Sequence, residues 1–388
     1  MYRGDLARDG HPPAATLGVN AARHLKPAWQ AEMSGGVSGT PAVAGGVVVA
    51  ASAGGVVAAY RAGSGARTWQ VDGLGAISGS PAIDGGRVIV GSLNGHIYAF
   101  DMNGGATLWD ARLPGAQPAI WSSPAVYGQL VVVGVGSQYG DKPLEAGRVV
   151  ALDLATGSQV WELCARDGCG VGDGIWSTPA IDAAGHGYIG VGNPDDAVLA
   201  FDVATGRRLW MTSFHPDAGR DVDVGATPIV LRAAGREEVA VGSDAGVFKL
   251  LDAATGSVAW SRDLVNGSAV HGLLASPAYD GTYFYVPSAG DPAGIFAVDA
   301  AGGKAAWANH AGLSVYSAPA LGNGVVVFGT GDVFGDPNAG GMVALSSRDG
   351  TVLWTHDLHS AVFSGPAISG DMVLVGDSRG DVIAFRPA

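Results

Sequence analysis

The chain has 388 residues, a formal net charge of −13, 63 glycines and 47% hydrophobic residues. The acidic balance, with no basic stripe to override it, excludes a nucleic-acid partner, and no apolar stretch reaches the length needed to span a bilayer. Glycine at this level is the turn content of an all-β repeat protein, and the hydrophobic fraction is ample for a core.

Residues 1–24 are rich in Pro, Gly and Ala and read as an irregular N-terminal arm. Met1 is followed by charged residues rather than by an apolar run, so no secretory signal is read there. From residue 25 onward one phrase keeps returning, a small-hydrophobic run closed by Asp-x-x-Thr-Gly and then a Trp. Its clearest copies are VVALDLATGSQVW (149–161), VLAFDVATGRRLW (198–210) and FKLLDAATGSVAW (248–260). A second marker runs in step with it, a Pro after a small residue, at Pro41, Pro81, Pro124, Pro179, Pro228, Pro277, Pro319 and Pro366. Both markers count eight units with the period of a propeller blade.

Within a unit, short β-branched runs alternate with Gly-rich turns, as hairpins require. TPAVAG, VVVAAS, VVAAYR and ARTWQ are the four strands of the first. The final VIAF (382–385) lacks an outer strand, and the early LKPAWQ (25–30) lacks inner partners. Pairing them closes the ring and removes two bare edges. The reading is one all-β domain over 25–388, an eight-bladed β-propeller of four-stranded antiparallel blades, its N- and C-terminal strands sharing one blade. The framework Trp is expected to pack between blades.

Strand parity assigns the faces. With the Pro strand innermost and running downward, the second-to-third turns and the loops from the Trp strand to the next Pro strand lie on an upper face. Those are the segments that vary. Trp-to-Pro spacing is 12 residues in four units but 15, 18, 18 and 17 before Pro124, Pro179, Pro228 and Pro277. The second-to-third turns swell in SQYGDKPLEAG (137–147) and TGDVFGDPNAGG (330–341). Variation confined to one face places function there.

The prolines also index rings around the axis. Three residues before each lie Ser38, Ser78, Trp121, Trp176, Gly225, Leu274, Tyr316 and Phe363, and both tryptophans outside the framework fall in this ring. Two residues earlier, seven small residues surround a single carboxylate, Asp223. Two readings stand side by side. Either the aromatics wall a pocket for a flat ligand with Asp223 as its acid/base group, or they plug the channel and Asp223 bonds a backbone amide. Cys164 and Cys169 share one short loop and read as a disulfide closing a small ring worth roughly 2 kcal/mol, which fits an oxidising compartment.

Three segments carry a resemblance: GIWSTPAID (174–182), IGVGNPDD (189–196) and DVDVGATPIV (221–230). With the framework phrase, they make most of the chain resemble the quinoprotein alcohol dehydrogenases, in particular the polyvinyl alcohol dehydrogenase-like branch. The resemblance implies oxidation of an alcohol with pyrroloquinoline quinone (PQQ) and Ca2+ on the axis, outside the cytoplasm, in the periplasm or secreted, with a separate electron acceptor. It makes Trp176 the stacking platform for the quinone, with Trp121, Tyr316 and Phe363 around it. Asn193 becomes a calcium ligand and Asp223 both ligand and catalytic base. The family's Glu ligand falls in the swollen turn, where this chain offers Gln138 or Glu145. Its quinone-contacting Arg or Lys falls in SDAGVF (243–248), where this chain has Asp244. The framework phrase is shared with the outer-membrane assembly lipoproteins. The competing expectation is therefore a non-catalytic extracytoplasmic scaffold whose upper face docks a protein partner.

Overall fold

The computed structural model describes residues 2–139, 141–215, 221–233, 235–310, 312–332 and 334–388. Eight four-stranded antiparallel sheets are formed by the described residues. Their innermost strands, which number the blades one to eight, are Ala42–Ala44, Ala82–Asp84, Ala125–Tyr127, Ala180–Ile181, Ile229–Ala233, Ala278–Tyr279, Ala320–Gly322 and Ala367–Ser369. The eighth blade is composite. Leu25–Glu32 pairs antiparallel with Asp381–Pro387, so the two ends of the chain close the ring.

The repeated phrase folds into the joint between blades. Asp153, Asp202 and Asp252 each accept the backbone N–H and the hydroxyl of the Thr three residues on, at 2.8–2.9 Å. That bond sets up a tight turn whose Gly is left-handed, with φ near +71° at Gly206 and Gly256. The flat face of the preceding blade's Trp lies on this glycine. A Cβ on Gly206 would stand 2.6 Å from the Trp161 ring. The same indole donates its N–H across the joint, Trp161 to the Val203 carbonyl at 3.0 Å and Trp210 to that of Ala253 at 2.9 Å. Thr-Gly and Trp recur together because one is the seat of the other. Between the blades, middle strands such as Ala197–Asp202 bury nearly every side chain, and the core is a series of inter-sheet layers.

A second set of ties circles the axis. In five of the eight blades the N–H of the residue before the marker Pro donates to the hydroxyl of its counterpart in the next blade. Thr40 bonds Ser80, Ser80 bonds Ser123, Ser123 bonds Thr178 and Thr227 bonds Ser276, at 2.9–3.0 Å, with Thr178 to Thr227 at 3.3 Å. Residues 2–18 run across the lower mouth. The carbonyls of Leu6, Ala7, Asp9 and Gly10 accept N–H groups from Ile181, Val230, Tyr279 and Leu321 at 2.8–2.9 Å, on the axial edges of four successive blades. Arg8 is fully buried beneath the axis, donates to the Pro179 carbonyl at 3.1 Å, and is pushed down to about 10 by that burial. The arm thus covers part of the lower end and leaves a cavity of about 210 Å³ between itself and the inner strands of blades one, seven and eight.

Candidate active site at the upper mouth

The axial cavity measures about 150 Å³. Trp121, Trp176, Tyr316 and Phe363 line it together with the hydroxyl ring, and Tyr2 reaches it from the arm. The four aromatics named from sequence are thus brought to one place. Tyr316 stacks on Phe363 with centroids 4.8 Å apart and planes 24° from parallel, and its hydroxyl donates to the Val270 carbonyl at 2.6 Å. Trp121 donates its indole N–H to the Ser137 carbonyl at 2.8 Å. Trp176 lies flat on Gly225, where a Cβ would come within 1.7 Å of the ring, so only glycine fits beneath it.

Asp223 and Asn193 meet beside Trp176 and are not among the residues that line the axial cavity. One carboxylate oxygen of Asp223 accepts the Trp176 indole N–H at 2.7 Å and the other accepts the Asn193 backbone N–H at 3.0 Å. The Asn193 side chain donates through Nδ2 to Asp221 at 2.7 Å. Its Oδ1 is buried with no hydrogen-bond partner among the described residues, and so is Oδ1 of Asp244. The Asp244 backbone N–H bonds the Asp223 carbonyl at 2.9 Å, which sets the two aspartates side by side. Burial pushes the Asp223 carboxyl above the ordinary carboxylate range, against the lowering pull of the Trp176 and Asn193 hydrogen bonds, and Asp221 adds to the rise. Asp244 is held well above that range, first by burial and then by Asp223, Asp221 and Asp196. No ion pair among the described residues reaches Asp221, Asp223 or Asp244.

Gln138 makes no hydrogen bond to this group among the described residues. Its amide nitrogen donates to the Leu93 carbonyl in the preceding blade. Glu145 is enclosed and accepts the Gln117 N–H at 2.6 Å. Cys164 and Cys169 are joined in a disulfide at the base of the loop that leads to Trp176. Asp332, in the swollen turn of the seventh blade, is bound to His271 at 3.0 Å and to the Phe334 N–H at 2.9 Å. Sequence reasoning passed over Asp221 and Asp173. Both act through loop conformation and carry no offset from the repeat markers. The hydroxyl ring did have a signal, the Ser or Thr immediately before six of the eight marker prolines.

Two buried carbonyl or carboxyl oxygens without donors, beside carboxylates that no cation pairs among the described residues, are a donor set for a hard cation such as calcium. A flat polyanionic cofactor fits the aromatic quartet by shape. It fits the acidic mouth only with a cation interposed.

The fold is an eight-bladed propeller of the kind found in quinoprotein alcohol dehydrogenases. It belongs to the family described as outer membrane protein assembly factor BamB, whose model matches residues 21–214, 194–273 and 244–388. It is similar to the polyvinylalcohol dehydrogenases of Sphingopyxis sp. (strain 113P3), at 29% identity, and of Pseudomonas sp., at 25%. Each match covers 42% of this chain and 33% of the relative, so the likeness spans a third of the length of those proteins. Among solved structures it is similar to the quinohemoprotein alcohol dehydrogenase from Comamonas testosteroni, with a TM-score of 0.86 at 18% identity over 100% of this chain and 80% of that one. A europium-containing methanol dehydrogenase gives 0.86 at 18%, over 100% and 97%. BamB from Moraxella catarrhalis gives 0.71 at 19%, over 93% and 97%. At these identities the structural likeness speaks for the fold.

Proposed function

We propose that this propeller is an oxidoreductase acting on an alcohol, with PQQ and Ca2+ held at the upper axial mouth. The observation that carries the reading is the orphaned Asn193 Oδ1 beside Asp223 and Asp244, a cation-shaped deficit next to an aromatic quartet. Asn193, Asp223 and the Oε1 of Gln138 would supply oxygens to the cation. Trp176 would support the quinone, with Trp121, Tyr316 and Phe363 around it. Bound together, the two groups supply a two-electron acceptor and a Lewis acid.

The chain's own part is positioning and proton transfer. Asp223 has one hydrogen bond on each oxygen, so its carboxylate is fixed in orientation and keeps lone pairs for a substrate hydroxyl. A carboxylate so fixed, facing a substrate hydroxyl, would act as the general base. Trp176, seated on Gly225, would form the floor beneath the substrate.

The test is a titration of purified protein with PQQ, with and without calcium, followed by dye reduction on a panel of alcohols. Saturable binding at one quinone per chain that needs calcium, with turnover abolished in Asp223→Ala, is the expected result. No binding at tens of micromolar quinone in the presence of calcium overturns the reading. A bridged cysteine pair and the family resemblance favour a periplasmic or secreted site of action, with a separate electron acceptor.

The scaffold reading rests on a different observation. Tyr139, Leu144 and Val171 are exposed in the upper loops of blades three and four, and Leu313 and Phe334 in those around blade seven. Such apolar side chains suit a protein partner. A quinone-free protein that retains a specific partner in pull-downs would support it. Among the described residues no helix is long and apolar enough to cross a membrane.

A further inference from the structure

We propose that Asp173 is a positioning residue for the cation site: it clamps the turn that presents Asn193, and with Gly172 it ties that turn to the swollen turn bearing Gln138. The inference rests on the cation reading given above.

Asp173 lies in the loop after the disulfide and is fully buried. Its backbone N–H donates to the Asn193 carbonyl at 2.5 Å, and its Oδ1 accepts the Asp195 N–H at 3.1 Å. The Asn193 turn is thus gripped on both sides of Pro194. The other carboxylate oxygen accepts Arg166 Nε at 2.9 Å. Gly172 extends the grip to the neighbouring blade, donating to the Glu145 carbonyl at 2.9 Å and accepting the Gly147 N–H at 2.8 Å. The contact is close enough that a Cβ on Gly147 would stand 1.5 Å from the Asp173 carbonyl.

With its carbonyl held by Asp173, its N–H by Asp223 and its Nδ2 by Asp221, Asn193 has one group left over, the buried Oδ1. Three of its four polar groups serve to aim the fourth. Asp173 itself sits at φ +54°, in the left-handed region that few residues other than Gly, Asn and Asp adopt. That backbone is explained if its hydrogen bonds fix a ligand rather than merely fill a loop.

Terbium serves as the probe, its luminescence sensitised by the indole of Trp176, 2.7 Å from Asp223. Loss of a residue that orients a ligand typically weakens metal affinity about 10- to 100-fold. Asp173→Asn is expected to weaken terbium binding in that range, to add water to the bound ion as read from lifetimes in H2O and D2O, and to shrink the rise in Tm that calcium produces. Arg166→Gln, which frees the Asp173 side chain and leaves the backbone alone, is expected to give a smaller shift in the same direction. Wild-type affinity and wild-type hydration in Asp173→Asn would overturn the inference, even if the metal-free protein melted earlier. A wild-type protein that binds no terbium, with Asn193→Ala indistinguishable from it, would overturn the cation reading and this inference together.

Discussion

Asp244 stands where the resemblance puts a cation, and its surroundings turn that substitution into a pH dependence. A carboxyl with higher proton affinity in the folded than in the unfolded chain favours folding while protonated. Its contribution is fully present below the unfolded value near 3.8 and is lost as pH rises through the folded one. Asp223 and Asp244 are both of this kind. Asp153, Asp202 and Asp252 are lowered by their Thr hydrogen bonds, so their contribution is lost only as pH falls below the ordinary carboxylate range. In chelator, Tm measured by calorimetry between about pH 4.5 and 8 is therefore expected to fall as pH rises. Asp244→Asn is expected to flatten that slope, and calcium to reverse it by stabilising the charged carboxylates. A slope unchanged in Asp244→Asn would show that the buried pair does not set it. At this scale the sequence revealed what could be indexed from a marker Pro. Trp176 and Asp223 fall at fixed offsets within the repeat, whereas Asp173 and Asp221 depend on how two irregular loops fold against each other.

Blade joints were legible because their chemistry is local. Asp-x-x-Thr-Gly is a turn by itself, and a large flat residue in a strand of small ones must pack on something. What the spacing did not show is that the Trp of one blade rests on the Gly of the next, since that contact crosses about 45 residues between Trp161 and Gly206. Two glycines separate the backbone part of the requirement from the packing part. Gly45 has φ +55° and nothing within 4 Å of a built Cβ, whereas Gly206 has φ +71° and the Trp161 ring at 2.6 Å. Gly45→Ala should cost about 1 kcal/mol for the left-handed backbone alone. Gly206→Ala should cost a further 1–3 kcal/mol or so, because the indole must move and its hydrogen bond to Val203 is strained with it. Urea denaturation of the two variants beside the wild type measures the difference. Equal losses would mean that the glycine is needed for its φ and not as a seat.

The ring as a whole followed from counting, because eight copies of two markers in step leave little freedom in the architecture. The arm could not be counted. Leu6 to Gly10 bind through main-chain carbonyls, which any sequence offers, so nothing in those residues announces which edges they cover. Closure lies between these cases, since VIAF and LKPAWQ are each incomplete blades and only complementarity joins them. Its energetic weight can be judged from the strand Asp381–Pro387, where Val382, Ile383 and Phe385 are each at most 2% exposed. At about 1.5–3 kcal/mol for each large apolar side chain buried, their loss is comparable with the ~5–15 kcal/mol that stabilises a typical domain. Losing the strand would also leave Leu25–Glu32 without its partner and strip the cover from Met372–Gly376. The five hydroxyl ties around the axis connect blades one to six but do not cross the closing blade, so they offer no substitute. Deleting residues 381–388 should therefore abolish the single cooperative calorimetric transition rather than merely lower its midpoint. If the truncated chain still melts in one transition within a few degrees of the full chain, the inter-blade Trp joints alone hold the propeller shut, and the paired termini are dispensable to it.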